Sequence, residues 1–486
     1  MNLVWLKRDL RTSDHEALFQ AESQEEDYLI VYLFEPSLII HKDVSKRHLQ
    51  FVYHSLLDMN KFLEPMNRDI QIFHGEAKEV FEFLISQYKL KNVFSHQESG
   101  TKITWNRDKN ISSLFKKKGV KWKEFQTEGI IRGINNRVGW DKRWYLYANQ
   151  EIFKNKFSIS THKSIKSPFD FNLKNFPFLL KYPPQFQPAG ESYAMRYLKS
   201  FINKRAKNYS RQISSPQKSS ISCGRLSPYF AWGNLSVRMA YQSVRSAPNY
   251  QSQKRAYDSF LSRLKWRSHF IQKFEVDCTY ESYCINKGYE KMSYENNNVF
   301  LEKWKAGETG FPLVDASMRC LHHKGWLNFR MRAMLVSFLC HYLDQDWRRG
   351  VYHMAKLFLD YEPGIHYTQF QMQAGVTGIN SIRIYNPVKQ SLEKDSDGIF
   401  VLSWVPELRD LPLAFIHQPW MLTPIDLLGG QIKLNYPAPI VNPEKRKLPN
   451  RDKLWALKKD PEVKKESLRL LGVHVRPKKP RNKKHK

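Results

Sequence analysis

The chain has 486 residues, 41% hydrophobic and 14% aromatic, which is more than one hydrophobic core usually holds and implies two or three domains. No run of 18 apolar residues occurs, and the five cysteines (Cys223, Cys278, Cys284, Cys320, Cys340) show no C-x-x-C spacing, which excludes a membrane span, a disulfide scaffold and a zinc ribbon. The formal net charge of +31 is uneven: residues 1–130 hold 19 basic and 19 acidic side chains, and residues 131–486 hold 59 against 28.

Residues 131–443 alone carry 42 basic against 23 acidic side chains, an excess of 19. That asymmetry has two readings, a surface that meets a polyanion such as nucleic acid, or colloidal repulsion alone. The first residues, "MNLVWLKRDLRTSDHEAL", carry charge too early for a signal peptide, so a soluble cytoplasmic protein with reduced thiols is expected.

In chain order, the runs at 3–6, 28–36, 69–75, 92–96 and 120–125 predict strands, and the segments around 46–63, 77–88 and 102–118 have helical spacing. Strands alternating with helices imply a Rossmann-like parallel sheet covered on both faces, making 1–130 an α/β N-terminal domain. No G-x-G-x-x-G follows the first strand, which argues against a dinucleotide site there.

Residues 131–190 collect prolines and lysines and predict a long connector. From 191 the 3.6-residue pattern takes over, with helices expected near 191–209, 234–246, 254–276, 313–323, 326–343 and 351–360, so that 191–443 is mainly α-helical. Residues 444–486 form a basic extension ending in "RPKKPRNKKHK", which is expected to be disordered and either simply solvated or phosphate-binding.

The segment "LNFRMRAMLVSF" places Arg330 and Arg332 in an otherwise apolar helix, roughly 200° apart around its axis at about 100° per residue, so each needs its own partner. Pro363 and Gly364 are read as stopping the next helix, with Asp360 and Glu362 at its C-terminal edge, a position that disfavours negative charge. An ion pair from Asp360 to one arginine resolves both oddities, whether structural or functional. "SCGRLSPYFAWGNLS" supplies Ser222, Arg225, Ser227 and a helix opened by Pro228, the parts of a phosphate cradle or of an ordinary capped helix. Trp232, Trp266, Trp304, Trp326 and Trp347 lie in the basic half, where they serve as core or as stacking platforms.

Five segments, "WLKRDLRTSDHEAL", "RLSPYFAWGNLS", "RLKWRSHF", "TGFPLVDASMRCLHHKGW" and "RIYNP", in this order, resemble the photolyase and cryptochrome family of flavoproteins, from residue 3 to about residue 430. The resemblance implies an antenna-type α/β domain followed by a helical FAD-binding catalytic domain. FAD would be bound by Tyr209, the phosphate loop Gly224, Arg225, Leu226 and Ser227, and the flavin-facing Arg267. Arg332 and Asp360 match a salt bridge packed on the isoalloxazine ring, Arg330 and Glu362 line the same pocket, and His366 matches the residue facing flavin N5. An antenna chromophore of folate, flavin or deazaflavin type is a further family property. The implied activity is light-driven repair of ultraviolet pyrimidine dimers in DNA by electron transfer from reduced FAD, in a monomer with no membrane partner. The implied alternative is a cryptochrome-like blue-light photoreceptor.

The sequence departs from the family near the substrate. Arg263 stands where enzymes for cyclobutane dimers place a glutamate before the pocket tryptophan, Trp266. An arginine can only donate hydrogen bonds. Asn328 and Phe329 replace His and Asn, and Phe329 and Ala333 stand where (6-4) repair enzymes need two histidines. Phe370 and Met372 fall at two tryptophan positions, and His366 replaces an asparagine with a group able to titrate near neutral pH. Of the electron-transfer tryptophans, Trp347 matches and Tyr294 is the candidate outer position, with Tyr367 or Trp304 as another route. The cysteine spacing predicts no iron–sulfur cluster.

Overall fold

Five short apolar runs become the parallel sheet of a computed structural model that describes residues 1–24, 26–161, 164–423 and 434–475. The strands are β1 (Asn2–Leu6), β2 (Tyr28–Phe34), β3 (Ile70–His74), β4 (Asn92–His96) and β5 (Lys121–Phe125), in the order β3-β2-β1-β4-β5. Val4 sits opposite Ile30 on β2 and Phe94 on β4, which fixes the register at the centre. Every residue of β1 is buried, as a strand covered on both faces requires, while the edge strand β5 reads "KWKEF" with its lysines in solvent.

The connecting helices include α1 (Glu16–Glu22), α2 (Lys46–Leu63), α3 (Ala77–Tyr88) and α4 (Lys102–Lys118), the last three with the expected limits. Successive strand residues face opposite ways. Leu3, Trp5, Val31 and Val93 therefore pack on Val80, Phe81, Ile111 and Phe115 of α3 and α4. Val4, Leu6, Ile30 and Phe94 join Phe51 and Leu56 of α2 in a core that continues into Trp140, Phe201 and Tyr229. One face of the sheet thus shares a core with the start of the helical half.

The stretch read as a connector carries α5 (Trp140–Ala148), whose Trp140 and Trp144 are fully buried. Much of the rest is tied down by side chains reaching its carbonyls, such as Arg68 Nε to Ser158 O at 2.9 Å and Gln50 Nε2 to Phe178 O at 2.9 Å.

The helical half contains α6 (Glu191–Asn203), α7 (Lys254–Val276), α8 (Pro312–Lys324), α9 (Phe329–Ser337), α10 (Arg348–Leu357) and α11 (Pro363–Ala374). After α9 the backbone widens into a π turn, Phe338–Tyr342. One expectation is corrected: the helix said to end at Pro363 ends at Leu357, and Pro363 is the first residue of α11, with Glu362 as its N-cap residue. Proline at N1 opens helices as readily as it stops them. Asp360 and Glu362 therefore precede a helix N-terminus, where negative charge is favoured.

In the extension, α12 (Pro443–Lys459) and α13 (Pro461–His474) form, and Leu454, Val463 and Leu470 are buried against the helical core. The tail from residue 476 lies outside the described residues. Among the described residues, no helix is long and apolar enough to cross a membrane.

Candidate active site

A cleft of about 460 Å³, part of it open to solvent, lies between α9, the segment 358–362 and α11. Helical spacing aligns Phe329, Arg332, Ala333 and Val336 on one wall, and Ile365, His366, Gln369, Phe370 and Gln373 on the other. Asp360 and Glu362 stand between them.

Arg332 is fixed on three sides. Its Nη2 donates to Asp360 Oδ2 at 2.6 Å and its Nε to Leu327 O at 2.8 Å, while the guanidinium lies 3.9 Å from the centroid of the Phe358 ring. Asp360 Oδ1 is buried and has no partner among the described residues. Arg330 points elsewhere, with its guanidinium 5.4 Å from the Tyr385 ring, as two residues about 200° apart must.

His366 lies on the α11 wall with its Nε2 donating to Val351 O at 2.8 Å. Burial pushes its pKa down to about 4, so the ring is neutral with Nδ1 as an acceptor. The expected switching near neutral pH is overturned by this desolvation.

The loop at 223–227 meets the same region. Arg225 has φ of +57°, a left-handed conformation costly for a residue with a side chain. Its guanidinium lies 4.0 Å from the Trp326 ring, and its Nε is buried with no partner among the described residues. Gly224 backs onto Phe260, Leu226 is buried, and Ser227 Oγ accepts from Trp326 Nε1 at 3.3 Å. Tyr209 is buried with its ring against Phe201 and Phe260. Burial, against the pull of Asp360 and other acceptors, lowers the Arg225 pKa.

Arg267 is placed in a buried charge clamp. Its Nη2 donates to Glu128 Oε1 at 3.0 Å, Glu362 Oε2 at 3.1 Å and Phe230 O at 3.0 Å. Glu362 also faces Arg8 Nη1 at 3.6 Å, which links the cleft to the end of β1. Burial raises the Glu362 pKa, opposed by Arg8 and Arg267.

The other residues singled out in the sequence are more scattered. Trp266 is 50% exposed on α7, one turn after the exposed Arg263, and neither lines the cleft. Phe329 is 45% exposed and does line it, while Met372 is off the lining face of α11. Trp347 is fully buried one turn before Val351, whose carbonyl holds His366. Tyr294 is packed against the same core, its pKa raised by burial.

Sequence spacing missed Tyr361, Asp43 and Glu128. Tyr361 lines the cleft and donates to Asp43 Oδ2 at 2.5 Å, and Tyr367 donates to the same oxygen at 3.4 Å. A second cavity of about 820 Å³, at the C-terminal edge of the sheet, is lined by Trp5, Tyr32, Glu35, Arg107, Trp232 and the same Tyr361. It sits where the strand order reverses between β1 and β4, the usual ligand crevice of such sheets. Asp9, His15 and His96 cluster nearby as a hydrogen-bonded knot, His15 Nδ1 accepting from Leu18 N and His96 Nδ1 meeting Asp9 Oδ2 at 2.8 Å.

These residues fit an FAD. Arg225 Nε is a buried donor without an acceptor, suited to an anionic pyrophosphate, and Asp360 Oδ1 is a buried acceptor without a donor, suited to a ring N–H. Buried polar atoms are rarely left unpaired; Asp360 lines the cleft, and Arg225 stands close enough to feel its charge.

Comparisons with known proteins agree. Residues 2–133 match the family model described as DNA photolyase, and residues 260–456 match the FAD binding domain of DNA photolyase. The deoxyribodipyrimidine photo-lyase of Alkalihalophilus pseudofirmus is 26% identical over 470 residues, covering 92% of this chain and 96% of that one. Cryptochrome DASH of Synechocystis is 27% identical over 476 residues, covering 90% and 95%. An archaeal photolyase from Sulfolobus tokodaii, solved with two FAD molecules, superposes with a TM-score of 0.79 at 25% identity, covering 94% of this chain and 100% of that one. With both family models matched and a cleft whose residues fit the flavin, the chain belongs to the photolyase and cryptochrome flavoprotein family.

Proposed function

We propose that the chain is a DNA repair enzyme of the deoxyribodipyrimidine photolyase kind. The observation that carries this reading is the charge excess of 19 in residues 131–443, the part of the chain that holds the cleft. A duplex backbone needs such a surface, and a signalling receptor has no evident need of one.

Bound FAD supplies light absorption and electron transfer. The chain's own residues hold and orient it: Arg225, Ser227 and Tyr209 on the phosphate side, Arg332 and Asp360 along the ring, and His366 as a neutral acceptor on the facing wall. The clamp of Arg267, Glu128 and Glu362 fixes α7 against α11 so that the cleft keeps its width. Phe329 and Trp266 leave apolar surface in solvent near cationic residues, suited to a base turned out of the stack. Trp347 and Tyr294 belong to this proposal as the electron route through the core. The 820 Å³ cavity is the place for an antenna chromophore, with aromatic walls and both signs of charge.

The same proposal divides the chain at the 131–190 stretch into an antenna-type domain and a catalytic domain, and places it as a cytoplasmic monomer. A second reading, a blue-light receptor that binds FAD without repair, is favoured by one observation: Arg263, in place of the family's glutamate, is exposed and can offer a thymine edge no acceptor. Incubation of the holoprotein with ultraviolet-damaged DNA, in blue light and in darkness, separates the two. Light-dependent loss of cyclobutane dimers or (6-4) photoproducts, quantified by mass spectrometry, supports repair. Loss of neither, with reduced flavin present, moves the protein to the receptor class.

A further inference from the structure

Among the described residues that line the cleft, Tyr361 is the only phenol or indole. The phenyl rings there, Phe329, Phe358 and Phe370, are too hard to oxidise to supply an electron. Trp347 and Tyr294, the proposed route through the core, do not line the cleft, so an electron from either must cross an inner residue. Tyr361 is buried, with its ring 5.4 Å from that of His366 on the cleft wall and 5.7 Å from that of His48 on α2.

The Tyr361 hydroxyl donates to Asp43 Oδ2 at 2.5 Å, the length of a charge-assisted bond from a hydroxyl to a carboxylate. Asp43 Oδ1 lies 2.5 Å from Nδ1 of the half-buried His41. Burial alone would raise the Asp43 pKa, but His41, Tyr361 and Arg8 bring it below the ordinary carboxylate value, so the acceptor is ionised. Burial and the Asp43 charge raise the Tyr361 pKa in turn, so the phenol keeps its proton at rest. An oxidised phenol is a strong acid, and in a dry interior it forms only where a base takes its proton in the same event. Tyr361 has that base already in place.

We propose that Tyr361 is the electron donor nearest the bound flavin and that Asp43 is its proton acceptor. Tyr361 gives one electron to the photoexcited oxidised flavin and its hydroxyl proton to Asp43 Oδ2, leaving a neutral tyrosyl radical and a carboxylic acid. Tyr367, whose hydroxyl donates to the same oxygen at 3.4 Å, refills it. The Tyr367 electron and the proton held on Asp43 restore Tyr361, while the Tyr367 proton passes to Asp43. The Tyr367 ring lies 6.3 Å from that of the half-buried Tyr352. Tyr352 supplies the next electron, Asp43 returns its proton to Tyr367, and Tyr352 sheds its own proton to solvent. An external thiol closes the cycle, giving Tyr352 one electron and one proton and becoming a thiyl radical. The inference rests on a flavin in the cleft and not on DNA repair.

The test uses the yellow holoprotein without DNA, with dithiothreitol as the thiol, and compares it with Tyr361→Phe and Asp43→Asn at matched flavin occupancy. A blue flash on the wild type should give the narrow absorption band of a neutral tyrosyl radical, forming more slowly in heavy water because a proton moves with the electron. Tyr361→Phe should lose that band, and Asp43→Asn should form it about tenfold to a hundredfold more slowly. Continuous blue light with the thiol should bleach the flavin quickly in the wild type and slowly in both variants. Should Asp43→Asn fail to fold, the heavy-water effect on the wild type tests the proton transfer by itself. A tryptophanyl band in place of the tyrosyl one, or a Tyr361→Phe protein whose flavin bleaches as fast as the wild type's, overturns the donor. A tyrosyl band that forms equally fast in both waters overturns the coupled proton transfer to Asp43. Because no DNA is present, failure of this donor leaves the repair reading standing, and failure of repair leaves the donor standing.

Discussion

Asp360 gives one carboxylate oxygen to Arg332 at 2.6 Å and keeps the other buried without a partner. The pair is thus a fixed wall with one acceptor left for a bound molecule. Asp360 is 3% exposed and Arg332 24%, so removing the arginine strands a buried charge. Arg332→Ala should cost about 3 kcal/mol in chemical denaturation and release the flavin. Arg332→Met with Asp360→Leu should regain the stability and still purify colourless. A yellow Arg332→Ala protein with full flavin occupancy would refute the placement.

The clamp on Arg267 makes a separate prediction about stability. Glu128 and Glu362 are both largely buried; Glu128 depends on this guanidinium, and Glu362 shares it with Arg8 at 3.6 Å. Arg267→Ala leaves Glu128 uncompensated and Glu362 with Arg8 alone, and should cost more than Arg332→Ala, on the order of 3 to 5 kcal/mol. Arg267→Lys cannot reproduce the fork across two acids and should recover only part of that loss. Glu128→Gln, measured by the same denaturation, should be milder, since Glu362 keeps its charge partner.

His366 carries a pH signature whose sign follows from its burial. Its folded pKa, about 4, lies below the roughly 6.5 of an unfolded histidine. Between these values the unfolded chain binds the extra proton, so this residue makes the protein less stable as pH falls from about 6.5 to 4. His366→Asn lacks that linkage. Against the wild type it should gain up to about 1.4 kcal/mol per pH unit across the window, and nothing between pH 7 and 8. Urea titrations of both proteins at several pH values check this. A difference that instead changes between pH 7 and 8 would mean the ring titrates near neutrality after all.

Much of the N-terminal half was legible because its signals are local. A buried strand reads as a continuous apolar run and an amphipathic helix as a 3.6-residue rhythm, so α2, α3 and α4 have the limits the spacing predicts. The misreading at 360–364 came from proline, which marks a helix start and a helix stop alike. Spacing could say that Arg332 needed an anion and that Asp360 was at hand, since both lie within one supersecondary unit. It could not say that Arg267 is held by Glu128, 139 positions away, or that Tyr361 reaches Asp43 across the two halves. Nor could it set the state of His366, because desolvation belongs to the packed structure and not to the residue.

Trp266 offers the cleanest separation of substrate binding from folding. It is 50% exposed, among the described residues touches only the aromatic rings of His269 and Phe270, and lies outside the cleft. A tryptophan that served the core would be buried, and its loss would cost several kcal/mol. Trp266→Ala should therefore leave stability within roughly 0.5 to 1 kcal/mol of the wild type and leave the flavin spectrum unchanged. If an unstacked base rests on this ring, affinity for damaged DNA should fall by about 1 to 3 kcal/mol, while the salt slope stays the same because no phosphate contact is lost. Deleting residues 476–486 should do the opposite, lowering the salt slope through the loss of seven basic side chains and sparing the preference for damaged over intact duplex. Anisotropy titrations of both variants across a salt series, on irradiated and unirradiated duplex, read all four quantities. A Trp266→Ala protein that binds irradiated duplex as tightly as the wild type would remove this residue from the lesion site and leave Phe329, at the mouth of the cleft, as the aromatic that remains.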